Sequence, residues 1–159
     1  MGAKSETLAK QYEAKVQDAT ATLEKLSDAD WKKATAGETW TVGVVAHHVA
    51  SSHDGIANII KGVASGGALP SFTMDMLNEM NAKHAQEHAN ATKADTVALH
   101  KKNAAAAASV VRGLSDDQLA KSATVLQGMP AMSVEQIITG ILINHVDDHM
   151  GSIKKTLGA

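Results

Sequence analysis

Asn144-His145-Val146-Asp147-Asp148-His149-Met150-Gly151-Ser152-Ile153 reads as the end of the last long helix of this chain. The apolar residues around it, Val134, Ile137, Ile138, Ile141, Leu142 and Ile153, recur at helical spacing. At about 100° per residue, positions four apart share a face. His145 projects into the middle of the apolar stripe and His149 close beside it. Two imidazoles on a core-facing stripe must be hydrogen-bonded or hold a metal. A pair of this spacing also occurs as two satisfied core histidines, so it needs a third ligand to mean more. It is not the H-E-x-x-H of zinc proteases, because Val146 stands at the glutamate position. It is nearer to H-x-x-E-H, with Asp148 in place of the glutamate.

Working back from there, Ser133-Val134-Glu135-Gln136 is a capping box that opens this helix, which runs to about Leu157. Ser115-Asp116-Asp117-Gln118 is a second capping box, and Gly128-Met129-Pro130 between them is a loop. Thr92 caps a helix over Lys93 to Leu114, whose Ala104 to Ala108 run favours helix and permits close approach of a neighbour. A helix from Phe72 to about Ala91 precedes it, with Leu77 and Met80 inward. His84 and His88 continue that face, a second pair four apart, amid Lys83, Gln86 and Glu87. They read as a half-exposed polar face outside the ligand set.

Thr41 is the natural cap of a helix from about Val42 to Val63, which ends at Ser65-Gly66-Gly67. Its stripe is Val42, Val45, Val49, Ile56, Ile59, Ile60 and Val63. His48 and His53 flank the stripe, and His47 points almost directly away from it. Lys32 to Glu38 reads as a polar loop, Ser27 as a cap, and Ser5 to Leu26 as the first helix. That helix carries Leu8, Tyr12, Val16, Ala19, Leu23 and Leu26 inward. Leu26-Ser27-Asp28 is echoed by Leu114-Ser115-Asp116, and Thr41-Val42 by Ser133-Val134. Two helical hairpins packed together make an all-α four-helix bundle, with one additional helix between bundle helices two and three. No strand signal competes with it.

The 159 residues are expected to form one domain over 1–159, with an aliphatic core: 44% are hydrophobic and only 3% aromatic. The net charge of −2 without a basic run argues against a nucleic-acid partner. No apolar run has the length of a membrane span, and the polar N-terminus reads as no signal peptide, so a cytoplasmic protein is expected. There is no cysteine, hence no disulfide, thiolate ligand or cysteine nucleophile. Any metal must be held by His, Asp or Glu. His48, seven residues after its cap, and His145, twelve after its own, could meet inside a bundle of facing helices. With His149 they would form a facial set that leaves coordination positions open, as catalytic sites do. Imidazole suits zinc, nickel, copper or iron, with zinc or nickel the first expectation. Release on acidification should be steep near or below the free imidazole value of about 6.5.

Trp40-Thr41-Val42-Gly43-Val44-Val45-Ala46-His47-His48-Val49 resembles the tryptophan-to-histidine stretch of the DinB-like family, with the family histidine at His48 and not His47. His145-x-x-x-His149 with Ile153 is similar to that family's C-terminal element, and the resemblance extends over nearly the whole chain. It implies an up-down-down-up four-helix bundle, a homodimer, and one divalent metal ion on His48, His145 and His149. Relatives include mycothiol-dependent maleylpyruvate isomerases, thiol S-transferases and metal-dependent hydrolases. The resemblance therefore implies a metal-dependent thiol S-transferase or isomerase that acts on a small electrophile with a low-molecular-weight thiol. A non-catalytic metal or small-ligand module and a metal-dependent hydrolase are the alternatives. Asp148, beside His149, is a candidate to orient a ligand or to act as a base.

Overall fold

The computed structural model describes residues 2–158. Six of its helices begin where side-chain caps place them. Ser27, Thr41, Thr73, Thr92, Ser115 and Ser133 each accept the backbone N–H three residues on, which satisfies a donor that the first turn leaves orphaned. The helices are α1 (Ala3–Glu24), α2 (Asp28–Trp31), α3 (Val42–Ala64), α4 (Met74–Glu87), α5 (Lys93–Arg112) and α6 (Asp116–Ala120). The last long helix comprises α7 (Val134–Ile137), a π-helical segment (Ile138–Ile143) and α8 (Asn144–Thr156).

Four of these form the bundle: α1, α3, α5 and the α7–α8 helix. Their directions follow from the side chains that join them. Arg112, at the end of α5, pairs with Glu6 and Glu13 of α1 (2.8 and 2.9 Å), while Lys101 reaches Glu24 at 2.8 Å, so α1 and α5 are antiparallel. Lys121, just past α5 and α6, donates to the carbonyl of Ala64 at the end of α3, so α3 and α5 run parallel. Lys4–Glu135, Lys15–Asp147 and Lys154–Asp18 run α1 and the last helix side by side in one direction. This is the up-down-down-up order, and α4 lies in the crossover that two parallel helices require.

The core is aliphatic, with Leu23, Val42, Val45, Ile60, Ile137, Ile138, Leu142 and Ile153 all buried. Ala104, Ala107 and Ala108 are buried where α5 lies against α1 and α3, so small side chains set the close approach. Gly43 is required at its place: a methyl there would collide with the indole of Trp31, whose Nε1 donates to the Ala91 carbonyl at 2.9 Å. A polar chain crosses this core. Tyr12 Oη lies 2.6 Å from His53 Nδ1, and His53 Nε2 lies 3.0 Å from His100 Nδ1.

Two features depart from the sequence reading. A short antiparallel ladder pairs Ser122 with Ser133 and Ala123 with Met132, closing the loop that holds Gly128 and Pro130. Two residues per strand are too few to display alternation. The additional helix is shorter than the expected Phe72–Ala91 span, because the Thr73 cap fixes its start and it stops at Glu87.

Candidate metal centre

The centre grows from the first turns of α3. The backbone before that helix closes on itself: Thr35 N–H donates to the Trp40 carbonyl (2.8 Å) and Val42 N–H to the Lys33 carbonyl (2.8 Å). Inside this closed loop Thr39 has φ of 65°, a conformation that a β-branched residue adopts only at a cost of about 1–3 kcal/mol. The loop carries the side chain of Glu38 inward and leaves Thr39 exposed.

His48 lies two turns into α3 and is 8% exposed. Its Nε2 stands 3.0 Å from Nε2 of His145 on α8. The rings of His48, His145 and His149 have centroids 4.5 to 4.9 Å apart, and one nitrogen of each lies within 4.8 Å of the others. Two imidazole nitrogens about 2.05 Å from a tetrahedral ion stand about 3.3 Å apart, so the observed 3.0 Å spacing fits a shared divalent cation. His149 Nδ1 is 2.9 Å from Glu38 Oε2, and Ser152 Oγ donates to Glu38 Oε1 at 2.5 Å. With Nδ1 engaged, His149 has Nε2 left as its ligand atom. A carboxylate behind a histidine fixes its tautomer and ring orientation in this way at metal sites.

The electrostatics favour neutral, ligand-ready rings at His48 and His145. Burial first, then the neighbouring His149 and His84 rings, push His48 down to about 4. Burial, followed by His149 and His48, pushes His145 down to about 3. Burial works to raise the Glu38 carboxyl, but the hydrogen bonds from Ser152 and His149 overcome it and hold Glu38 below its ordinary value. The group is therefore an anion facing His149.

The sequence reading and the geometry differ at several residues. The middle of the inward face of α8 is Val146, Met150 and Ile153, all buried, while His145 and His149 sit half-buried at its edge beside α3. The π-helical turn is the reason. Buried Val134, Ile138, Leu142, Val146 and Met150 are four apart, a spacing that drifts about 40° per step on an uninterrupted α-helix. The wider π turn takes up part of that drift, and a wheel drawn at constant pitch misses it. Asp148 lies exposed, accepting from Asn144 Nδ2 at 3.2 Å. The carboxylate that meets a histidine of the set is Glu38, which the sequence reading left in a polar loop. Its only signal was its position two residues before Trp40.

His47 points away from the α3 stripe as expected but is only 9% exposed, because α4 covers it. His47 Nδ1 is 2.8 Å from His84 Nε2, and the rings of His47 and His88 stack at 4.1 Å. His84 and His88 therefore face inward onto α3. His53, expected at the flank, is buried in the Tyr12–His100 chain.

The sequence profile of the DinB superfamily matches residues 11–153. The chain belongs to the DinB superfamily. Among solved structures, the mycothiol-dependent maleylpyruvate isomerase is similar with a TM-score of 0.74 at 15% identity, over 94% of this chain and 60% of that one. A histidine-to-alanine mutant of that isomerase gives a TM-score of 0.76 at 13% identity, with the same coverage. YfiT from Bacillus subtilis, a probable metal-dependent hydrolase with an unusual four-helix bundle topology, gives 0.69 at 19% identity, over 98% of this chain and 86% of that one. This DinB protein thus spans about three fifths of the isomerase's length. At these identities the likeness is one of fold. No curated protein sequence matches the chain. No helix among the described residues is long and apolar enough to cross a membrane.

Proposed function

We propose that this DinB protein holds a divalent metal ion on His48, His145 and His149 and acts with it as a thiol-dependent S-transferase or isomerase on a small electrophile. The observation that carries the reading is the convergence of three imidazoles from two helices within 4.8 Å, one of them backed by the Glu38 carboxylate. Three imidazoles and no thiolate suit zinc or nickel and leave coordination positions open. The chemistry such an ion supplies when bound is Lewis acidity, under which a thiol or water beside it ionises near neutral pH. The chain's own groups prepare that site. Glu38 keeps the His149 proton on Nδ1 and Nε2 free, and Ser152 holds the carboxylate in place. The Trp40 indole packs against His48 in a T-shaped contact, 5.7 Å between centroids. The chain has no cysteine, so the thiol of this reaction comes from outside.

Metal-dependent hydrolysis is the second reading. The chain covers 86% of YfiT but only 60% of the isomerase, so two fifths of the isomerase has no counterpart here. The test is a panel of mycothiol, bacillithiol, glutathione and coenzyme A against small electrophiles, using untagged protein with and without zinc or nickel. Zinc- or nickel-dependent conjugation or isomerisation, lost in His145→Ala together with the ion, supports the first reading. Ester or amide hydrolysis without thiol dependence supports the second. Tight metal binding with neither activity makes the protein a binding module.

A further inference from the structure

The crossover helix α4 is weakly anchored by ordinary criteria. None of its fourteen residues is fully buried, and Met74, Met76 and Met80 are each about half exposed. Hydrophobic burial therefore does little to hold it on the bundle. What it places against α3 is His84 and His88, four residues apart on one face, around His47. One ring nitrogen of each of these three lies within 4.8 Å of the others.

Hydrogen bonding leaves this cluster unexplained. His47 Nδ1 and His84 Nε2 share one contact of 2.8 Å, which Ser51 Oγ flanks at 3.3 Å from each. His84 Nδ1 is buried and has no partner among the described residues, an arrangement that costs about 1–3 kcal/mol. His88 stacks on His47 without a hydrogen bond to it. No carboxylate belongs to the group. The nearby Glu87 is engaged with Lys83 on the exposed face. Three imidazoles with no carboxylate suit borderline transition-metal ions and not magnesium or calcium. The 2.8 Å spacing between His47 Nδ1 and His84 Nε2 is that of a hydrogen bond, and the two nitrogens need part by only about 0.5 Å to reach the roughly 3.3 Å of two ligands on one tetrahedral ion.

We propose that His47, His84 and His88 form a second site for a divalent transition-metal ion, and that an ion there fastens α4 to α3. The site is distinct from the His48, His145 and His149 set but adjoins it: the His48 and His84 rings are 5.8 Å apart, and His47 precedes His48 in the chain. An ion bridging α3 and α4 would replace the apolar anchoring that α4 lacks, and would hold that helix beside the first centre.

The test is zinc content by elemental analysis of untagged full-length protein, loaded with zinc alone and desalted. Two ions per chain are expected in the wild type, falling to one in a His84→Ala, His88→Ala variant and to one in a His145→Ala, His149→Ala variant. Glutamine replacements at the same positions serve if either alanine pair fails to fold. If the wild type holds one ion and the His84, His88 variant still holds it, the second site is overturned and the first stands. If the wild type holds one ion and the His145, His149 variant still holds it, the second site stands and the first fails. A wild type without zinc overturns both. Amide exchange reads the fastening. In the His145, His149 variant, zinc should slow exchange across residues 74–87, and unchanged exchange there would overturn that role.

Discussion

Removing the Glu38 side chain should weaken zinc at the first centre without unfolding the protein. In Glu38→Ala both carboxylate contacts vanish, the 2.9 Å bond from His149 and the 2.5 Å bond from Ser152. His149 then recovers a choice of tautomer and ring rotamer that binding must restrict again. Losing a carboxylate behind a ligand histidine typically costs 10–100-fold in metal affinity, which is about 1.4–2.7 kcal/mol. Glu38→Gln should cost less. Its amide oxygen can still accept from His149, and its NH2 can donate to the Ser152 hydroxyl, but the anion is gone. The ordering wild type, then glutamine, then alanine is the signature of an orienting carboxylate. The assay is competition with a chromophoric zinc chelator near neutral pH, in a His84→Ala, His88→Ala background so that one site alone is read. Circular dichroism checks that each variant is folded. If Glu38→Ala binds zinc within twofold of its parent while remaining folded, Glu38 does not orient the site and the reasoning fails.

Acid should destabilise the metal-free protein. His48 and His145 lie near 4 and 3 in the folded state against about 6.5 unfolded, so between those values the unfolded chain binds more protons and stability falls with pH. The shift from 6.5 to about 4 at His48 removes up to about 3 kcal/mol once both forms are protonated, and the larger shift at His145 removes more. Urea midpoints measured from neutral pH down to about 4 should decline steadily, and bound zinc should move the decline to lower pH; a flat profile would refute the buried neutral state. Tyr12→Phe leaves His53 Nδ1 buried without a partner and should cost about 1–3 kcal/mol, measured by chemical denaturation. Thr39→Asn should raise stability by about 0.5–1 kcal/mol, because asparagine tolerates a positive φ better than a β-branched residue; a loss on the same measurement would show that the threonine conformation is not strained.

Most of the fold was legible because its signals are local. Capping residues such as Thr41, Ser115 and Ser133 state where helices begin, and the stripes of α1 and α3 state which faces meet. The ladder at Ser122 and Met132 was not legible, since two residues carry no pattern. His48, His145 and His149 could be singled out because two ride on one helical face and the third follows a recognisable tryptophan stretch. Glu38 could not, because a loop conformation brings it in and no periodicity marks it. His47 was correctly aimed away from its own helix's stripe, yet what waits on that side is α4, and one helix's wheel contains no information about its neighbours.

One residue more or fewer in the last helix, where no turn widens or tightens to absorb it as the Ile138–Ile143 segment can, would turn everything after it by about 100°. Such a deletion would leave the helix content and both downstream histidines in place, yet would swing His145 and His149 off the face that meets His48. A lineage could in this way lose its ion without losing a single ligand from its sequence. Counting histidines in an alignment then overstates how many homologues retain the centre. The spacing from the Ser133 cap to the first histidine must be counted with them, because the phase of the last helix is inherited separately from its chemistry.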